Sequence, residues 1–248
     1  MTKSLCLVAA LIAAGPQQLS APAIVARVRE VDLRVRDLQA EVSMTIERGS
    51  ETRRRRFRMI VQRDGPRYRS RIEVLEPAPM RGVRFLIHAE RGKRNQQWSH
   101  FPDLALTRKI PGSRQDDPFL GSDVTYADLA GAAHLDDLKH SLLGEETVAG
   151  EPCWHLRGVP RRKIVYGALE GWVSQSRFTT VMAKFFDQDD GLIKTAKLED
   201  LRMLDDSVWF AHRIVVESHD SRTVLDFDAV RVNEGVDPSL LVAELLGK

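Results

Sequence analysis

The chain has 248 residues, of which 43% are hydrophobic, 29% charged and 6% aromatic, and its formal net charge is +2. That balance excludes a disordered or membrane-embedded chain, and so small a charge gives no bulk attraction for nucleic acid. Two cysteines exclude a disulfide scaffold and a multi-cysteine zinc site.

Residues 1–23 read as a secretory signal. Lys3 is a short positive start, and Leu5 to Ala14 is an apolar run too short to span a bilayer. Gly15 and Pro16 break that run, and Ala21-Pro22-Ala23 supplies the small residues of a cleavage site. Cleavage leaves residues 24–248 as a single domain, with Cys153 as its only thiol and no internal bridge.

Ile24, Val28, Val31, Val35 and Leu38 are spaced by fours and threes with charged residues between them, which predicts an amphipathic helix with one narrow apolar seam. At Gln39 the period changes to two. Ala40, Val42, Met44 and Ile46 alternate with polar residues in a half-buried strand. Phe57, Met59 and Val61 share a face of a second strand, and Asp64-Gly65-Pro66 is a turn. Tyr68, Ser70, Ile72 and Val74 form one face of a third. Short strands follow at Val83–Ala89, Gln96–Phe101 and Ala105–Ile110.

A polar loop precedes a short helix expected from Thr125 to Ala133, where Thr125 and Asp128 have capping-box spacing. Strands resume near Leu138 and run to Arg231. Asp237-Pro238 then opens a terminal helix over Leu240–Leu246. About eleven strands joined by short turns form an antiparallel meander, with the few helices covering its open face.

The seven histidines form no His-Glu-x-x-His or Cys/His zinc spacing, and there is no nucleophile elbow, P-loop or dinucleotide fingerprint. Gly121-Ser122-Asp123 is read as helix capping rather than as a serine nucleophile. Cys153 is read as a structural thiol. No enzyme activity, metal or cofactor is expected.

Ten arginines lie between Arg48 and Arg71, against two acids, Glu51 and Asp64. Arg54, Arg56 and Arg58 on one strand and Arg67, Arg69 and Arg71 on the next make a basic patch if the strands pair. It is either a solvated, salt-bridged face or a surface for anionic headgroups or an acidic protein.

Several motifs resemble the outer membrane lipoprotein-sorting family, the LolA-like proteins. Gly82-Val83-Arg84-Phe85-Leu86 is similar to its Gly-x-x-Phe-Leu, and Trp98-Ser99-His100-Phe101-Pro102 to its tryptophan-to-proline strand. Phe119-Leu120-Gly121-Ser122-Asp123-Val124-Thr125-Tyr126-Ala127-Asp128-Leu129 resembles its Gly-Ser-Asp signature. Asp190-Gly191-Leu192-Ile193-Lys194 resembles its Asp-Gly-x-x-Lys turn, and Trp209-Phe210 falls where it often has Trp-Tyr-Pro.

The resemblance implies a LolA/LolB-like fold: an incomplete, strongly curved antiparallel β-barrel with helices on its concave side. It implies a periplasmic carrier that binds lipid or lipoprotein acyl chains and moves them toward the outer membrane. Relatives often accompany exporters of the resistance-nodulation-division type, so an inner-membrane exporter and the outer membrane are expected partners and nucleic acid is not. The alternative is a non-catalytic periplasmic adaptor that docks through the arginine surface. Phe119, Leu120, Tyr126, Leu129, Phe57, Met59 and Phe85 are the expected lid and lipid contacts. Gly121, Ser122, Asp123 and Asp128 are the expected capping residues. Arg53 and Arg55 share parity with Phe57, so either is a candidate to point inward and fasten the lid.

Overall fold

The computed structural model describes residues 19–130, 137–162, 164–205 and 208–247. Most of the expected signal segment lies outside them. Helix α1 spans Ala21–Asp32, with Ser20 accepting from the Ala23 N–H and Pro22 in the first turn. It ends earlier than the heptad-like seam suggested. Leu33 and Arg34 donate back to Arg29 and Val31, and Leu38 already belongs to the first strand.

That strand, β1, spans Asp37–Arg48 and is followed by β2 (Glu51–Asp64), β3 (Arg67–Glu76), β4 (Arg84–Glu90), β5 (Gln96–Phe101) and β6 (Leu106–Ile110). After a long irregular segment come β7 (Leu138–Val148), β8 (Glu151–Pro160), β9 (Ala168–Ser174) and β10 (Thr180–Phe186). The last three are β11 (Leu192–Leu204), β12 (Val208–Glu217) and β13 (Ser221–Val232). Among the described residues the count is thirteen strands rather than about eleven.

All thirteen join one antiparallel sheet in the order β6-β5-β4-β3-β2-β1-β13-β12-β11-β10-β9-β8-β7. Each half is a simple meander, and the halves meet where β1 pairs with β13, with Met44 opposite Leu225. The free edges, β6 and β7, are neighbours in sequence and are not paired with each other, so the sheet is not a closed barrel. Residues 111–130 are the described part of the connection between these two edges.

Period-two patterning sorts the faces. On the concave face Val42 stands opposite Phe57 and Ile72 opposite Phe85, and all four are buried. On the convex face Ile60 and Leu86 would stand exposed, but the C-terminal segment covers them with Leu241 and Leu246. That segment is not the expected helix. It forms two 3-10 turns, Pro238–Leu241 and Ala243–Leu245, broken by the extended backbone of Val242. Asp237 caps the first by accepting from the Ser239 N–H at 2.9 Å. Lying flat seats Leu241 and Leu246 on the sheet together.

The short helix expected from Thr125 to Ala133 is also absent as far as residue 130, and residues 131–133 lie outside the described ones. Thr125 bridges to Pro118, and the Tyr126 and Ala127 amides donate to the Asp117 and Gln115 carbonyls. These donors serve the preceding loop, so no i to i+4 ladder starts.

Candidate functional site

The segment between the free edges is held from two sides. Its apolar anchor is Phe119, 1% exposed. The Phe119 ring meets Phe85 at 5.1 Å, Tyr126 at 5.5 Å and Phe57 at 6.1 Å, each edge to face. Such pairs add about 0.5–1.5 kcal/mol beyond burial. Leu120, Leu129 and Met59 pack against the same core. Leu120 has a φ of 52° and Gly121 one of 80°. A leucine in the left-handed region is unusual and persists only where its surroundings fix it. The paired positive φ values turn the chain sharply, so that Phe119 enters the core and Asp123 reaches the sheet.

The polar anchor is made by Asp123 and Asp128. Asp123 Oδ1 accepts from the hydroxyls of Ser218 (2.6 Å) and Ser221 (2.5 Å), and its Oδ2 accepts from Thr223 at 2.6 Å. Its own N–H donates to Thr223 Oγ1 at 3.0 Å. Asp128 Oδ2 receives Lys194 Nζ at 2.5 Å and the Thr125 N–H at 2.7 Å, while Oδ1 accepts from Tyr166 at 2.9 Å. Lys194 also donates to the Asp123 carbonyl at 2.9 Å, and its side chain is only 5% exposed. Burial first, and then the Asp128 charge, push the Tyr166 phenol far above its ordinary value, so it stays a donor.

The capping residues thus act differently from the sequence reading. Ser122 donates to the Phe119 carbonyl at 2.7 Å and accepts from the Val124 N–H, closing the turn on itself. Asp123 caps no helix and ties the segment to β13 and the turn before it. Thr125 and Asp128 do exchange the reciprocal bonds of a capping box, Asp128 N–H reaching Thr125 Oγ1 at 3.2 Å. Lys194, Tyr166, Ser218, Ser221 and Thr223 were not singled out. The Asp-Gly-x-x-Lys motif was a signal for Lys194 alone.

Beside this plug lies a cavity of about 1520 Å³ on the concave face. It exceeds the ~300–1,000 Å³ of ordinary small-molecule pockets. Val28 of α1, Leu38, Val61, Leu156, Phe185 and Ile214 represent its apolar wall. Helix α1 roofs one part of it, since Ile24, Val25 and Val28 pack on Trp154, Leu156 and Val173. Of the seven expected lipid contacts only Met59 lines the cavity. Phe57, Phe85, Phe119, Leu120, Tyr126 and Leu129 fill the plug's own core, because their side chains pack against one another. Pro111, Gly112, Gln115, Asp116, Ala127 and Asp128 bring the plug to the cavity wall.

The arginine strands do pair, but their outer face is interleaved with acids. Arg58 stands opposite Glu73 and Arg56 opposite Glu76. Arg56 and Arg58 share Glu41, and Arg67 lies 3.9 Å from Asp64. Arg71 is buried beneath the C-terminal turns, where it donates to the Leu240 carbonyl at 3.5 Å. Arg54 is exposed and Arg69 half-buried. Arg53 is exposed and pairs with Glu51, whereas Arg55 is half-buried opposite Met44 and its Nε is without a partner. Among the described residues, no group of three or more His, Cys, Asp and Glu side chains converges as a metal site would.

An open antiparallel sheet with a cavity on its concave face, crossed by a plug that joins its free edges, is the LolA-like architecture. The chain is similar to a DUF1329 family protein from Desulfovibrio piger at 25% identity and a TM-score of 0.85, covering 90% of this chain and 96% of that one. It is similar to an outer membrane lipoprotein-sorting protein domain from Vibrio parahaemolyticus at 21% identity and a TM-score of 0.83, over 90% and 98% of the two chains. A LolA superfamily protein from Nitrosomonas europaea aligns at 20% identity and a TM-score of 0.72, over 91% and 98%. The chain belongs to the family whose model, described as "-like: Uncharacterized protein", matches residues 67–247. No curated protein matches the sequence.

Proposed function

We propose that the protein is a periplasmic carrier that shelters the acyl chains of a lipid or lipidated protein on their way toward the outer membrane. The observation that carries this reading is the apolar cavity of about 1520 Å³ between α1 and the plug. Each CH₂ moved out of water contributes about 0.8 kcal/mol, so a long dry cavity is sufficient to hold an acyl chain without covalent chemistry. The likeness in fold to a protein described as an outer membrane lipoprotein-sorting protein domain, and to one described as a LolA superfamily protein, supports it. Export through the signal segment supplies the compartment. Among the described residues no helix is long and apolar enough to cross a membrane. An exporter in the inner membrane is the expected donor or acceptor of the cargo.

A non-catalytic role fits the two residues with nucleophilic chemistry. The Ser122 hydroxyl is engaged by its own turn. The Cys153 thiol is buried and pushed up by that burial, away from the reactive thiolate. The adaptor alternative called for a concave face filled by side chains and an open basic surface. The cavity and the acid-laced arginine strands favour the carrier. Purification from periplasm followed by lipid extraction and mass spectrometry tests it. Co-purified acyl lipid is the expected result. Lipid-free protein that also fails to take up a fluorescent fatty acid would overturn the reading.

A further inference from the structure

The charged residues around the cavity are not balanced in the way their numbers suggest. Its carboxyl groups are neutralised in place. Asp128 is paired with Lys194, Asp137 with Arg162 at 3.0 Å, and Glu170 with Arg157 at 2.8 Å. Asp32 and Asp116 line the cavity as well, and burial pushes both carboxyls up toward their neutral form. Arg63 lies close enough to Asp32 to offset part of that.

At one corner the cations outnumber the carboxylates. The turn between β4 and β5 brings Lys93 and Arg94 to the cavity, whereas Lys109 of β6, at the same rim, turns its ammonium to the convex face, over the Trp98 ring at 5.6 Å and onto Gln96 at 3.1 Å. Among the described residues no carboxylate lies within ion-pair distance of Arg94 or Lys109, and Lys93 pairs with the half-buried Glu90 at 2.8 Å. Gln115 of the plug donates to the Asn95 carbonyl at 3.3 Å, so the plug is tied to this same corner. All three cations are exposed, whereas the wall beyond them is aliphatic and aromatic.

We propose that the cavity's ligand is an amphiphile with an acidic headgroup, its chain along the apolar wall and its head at Lys93 and Arg94. This deepens the carrier reading and rests on it. The shared chemistry is a carboxylate or phosphate on an alkyl chain. A neutral head would leave the corner as it is and gain nothing from it. An acidic head at these exposed cations should bind about tenfold more tightly than a neutral one.

Trp209 lines the cavity, so a brominated chain entering it quenches its fluorescence. The purified chain is titrated with a dibrominated stearate and with the matching stearyl alcohol. The stearate should bind about tenfold more tightly, and added salt should weaken the stearate alone. In the double variant Lys93→Gln/Arg94→Gln the stearate should fall to the level of the alcohol, with circular dichroism checking the fold. Competition by phosphatidylglycerol points to a phospholipid source, and competition by free fatty acid alone to a carboxylate source. Equal affinity for stearate and alcohol in the unmodified chain, or equal competition by phosphatidylcholine and phosphatidylglycerol, overturns the proposal while leaving the carrier reading intact. Quenching by neither probe overturns both.

Discussion

Lys194 on β11 and Asp128 in the plug form a buried ion pair at 2.5 Å, 66 residues apart in sequence. Each comes from a different short motif, and each motif looks like a surface turn when read alone. Their meeting makes the plug part of the sheet. Tyr166 and the Thr125 amide complete the carboxylate's shell. Removing one partner of such a pair leaves a buried charge, which costs about 3–5 kcal/mol. Lys194→Met should therefore destabilise the protein by about 3 kcal/mol in urea unfolding. Adding Asp128→Asn to it should restore part of the loss. Additive losses in the double variant would show that the two side chains do not interact.

Asp123→Ala should loosen the plug more than loss of a simple cap would. The substitution abandons three hydroxyl donors and one charge, a loss of about 2–3 kcal/mol. Hydrogen exchange should quicken over residues 112–130 and change little in the strands. Loss of protection across the whole sheet at once would show instead that the plug and sheet open together.

Gly121→Ala isolates the backbone contribution. Nothing lies within 4 Å of the position a Cβ would take, yet φ is +80°. The expected cost is about 1–2 kcal/mol from conformation alone. An unchanged midpoint in a denaturant titration would mean that the turn relaxes without penalty.

Gly171 faces the cavity from β9, beside Leu156 and Ala183, and a side chain there would meet open space. Gly171→Phe should keep the fold and fill part of the cavity. Co-purified lipid should fall sharply at unchanged thermal stability. Full lipid loading in this variant would place the ligand elsewhere.

The C-terminal turns should loosen in acid. His88 bonds to the Leu241 carbonyl at 2.8 Å, and burial holds its pKa below the ordinary 6.5, with Leu241 opposing and Arg69 adding to the shift. A group with a depressed folded pKa binds fewer protons folded than unfolded, so its contribution is full above pH 6.5 and is lost as pH falls through and below it. His100, lowered by burial and then by Arg84 and Arg71, acts with the same sign. Protection factors for residues 240–247 should fall with acidification, and His88→Gln should remove part of that dependence. Protection independent of pH would exclude it.

The strands were readable because their code is local. Val42, Met44, Phe57 and Ile72 alternate with polar residues, and one face had to be buried. The two failed helices share a cause. The Tyr126, Ala127 and Val242 backbones follow tertiary demands, the plug's loop in one case and the convex face in the other, which no local period announces. The aromatic residues of the Phe119 motif were legible as apolar and inward, but not as partners of one another. The cavity was legible only as a concave lipid-binding side, and of its wall only Met59 was named as a contact. Its wall is drawn from α1 and from both halves of the sheet, and only closure of the β1–β13 join brings those together.

That join also sets an order of events. Every other neighbouring pair of strands is consecutive in sequence and can form as soon as both strands exist. Met44 and Leu225 are 181 residues apart, so β1 keeps an unpaired edge until the last strand has arrived. The first half-sheet is therefore complete except along the side where it must wait. In that interval β1 is the strand most open to pairing with another chain, and the protein's passage through an aggregation-prone state ends only when its two ends meet.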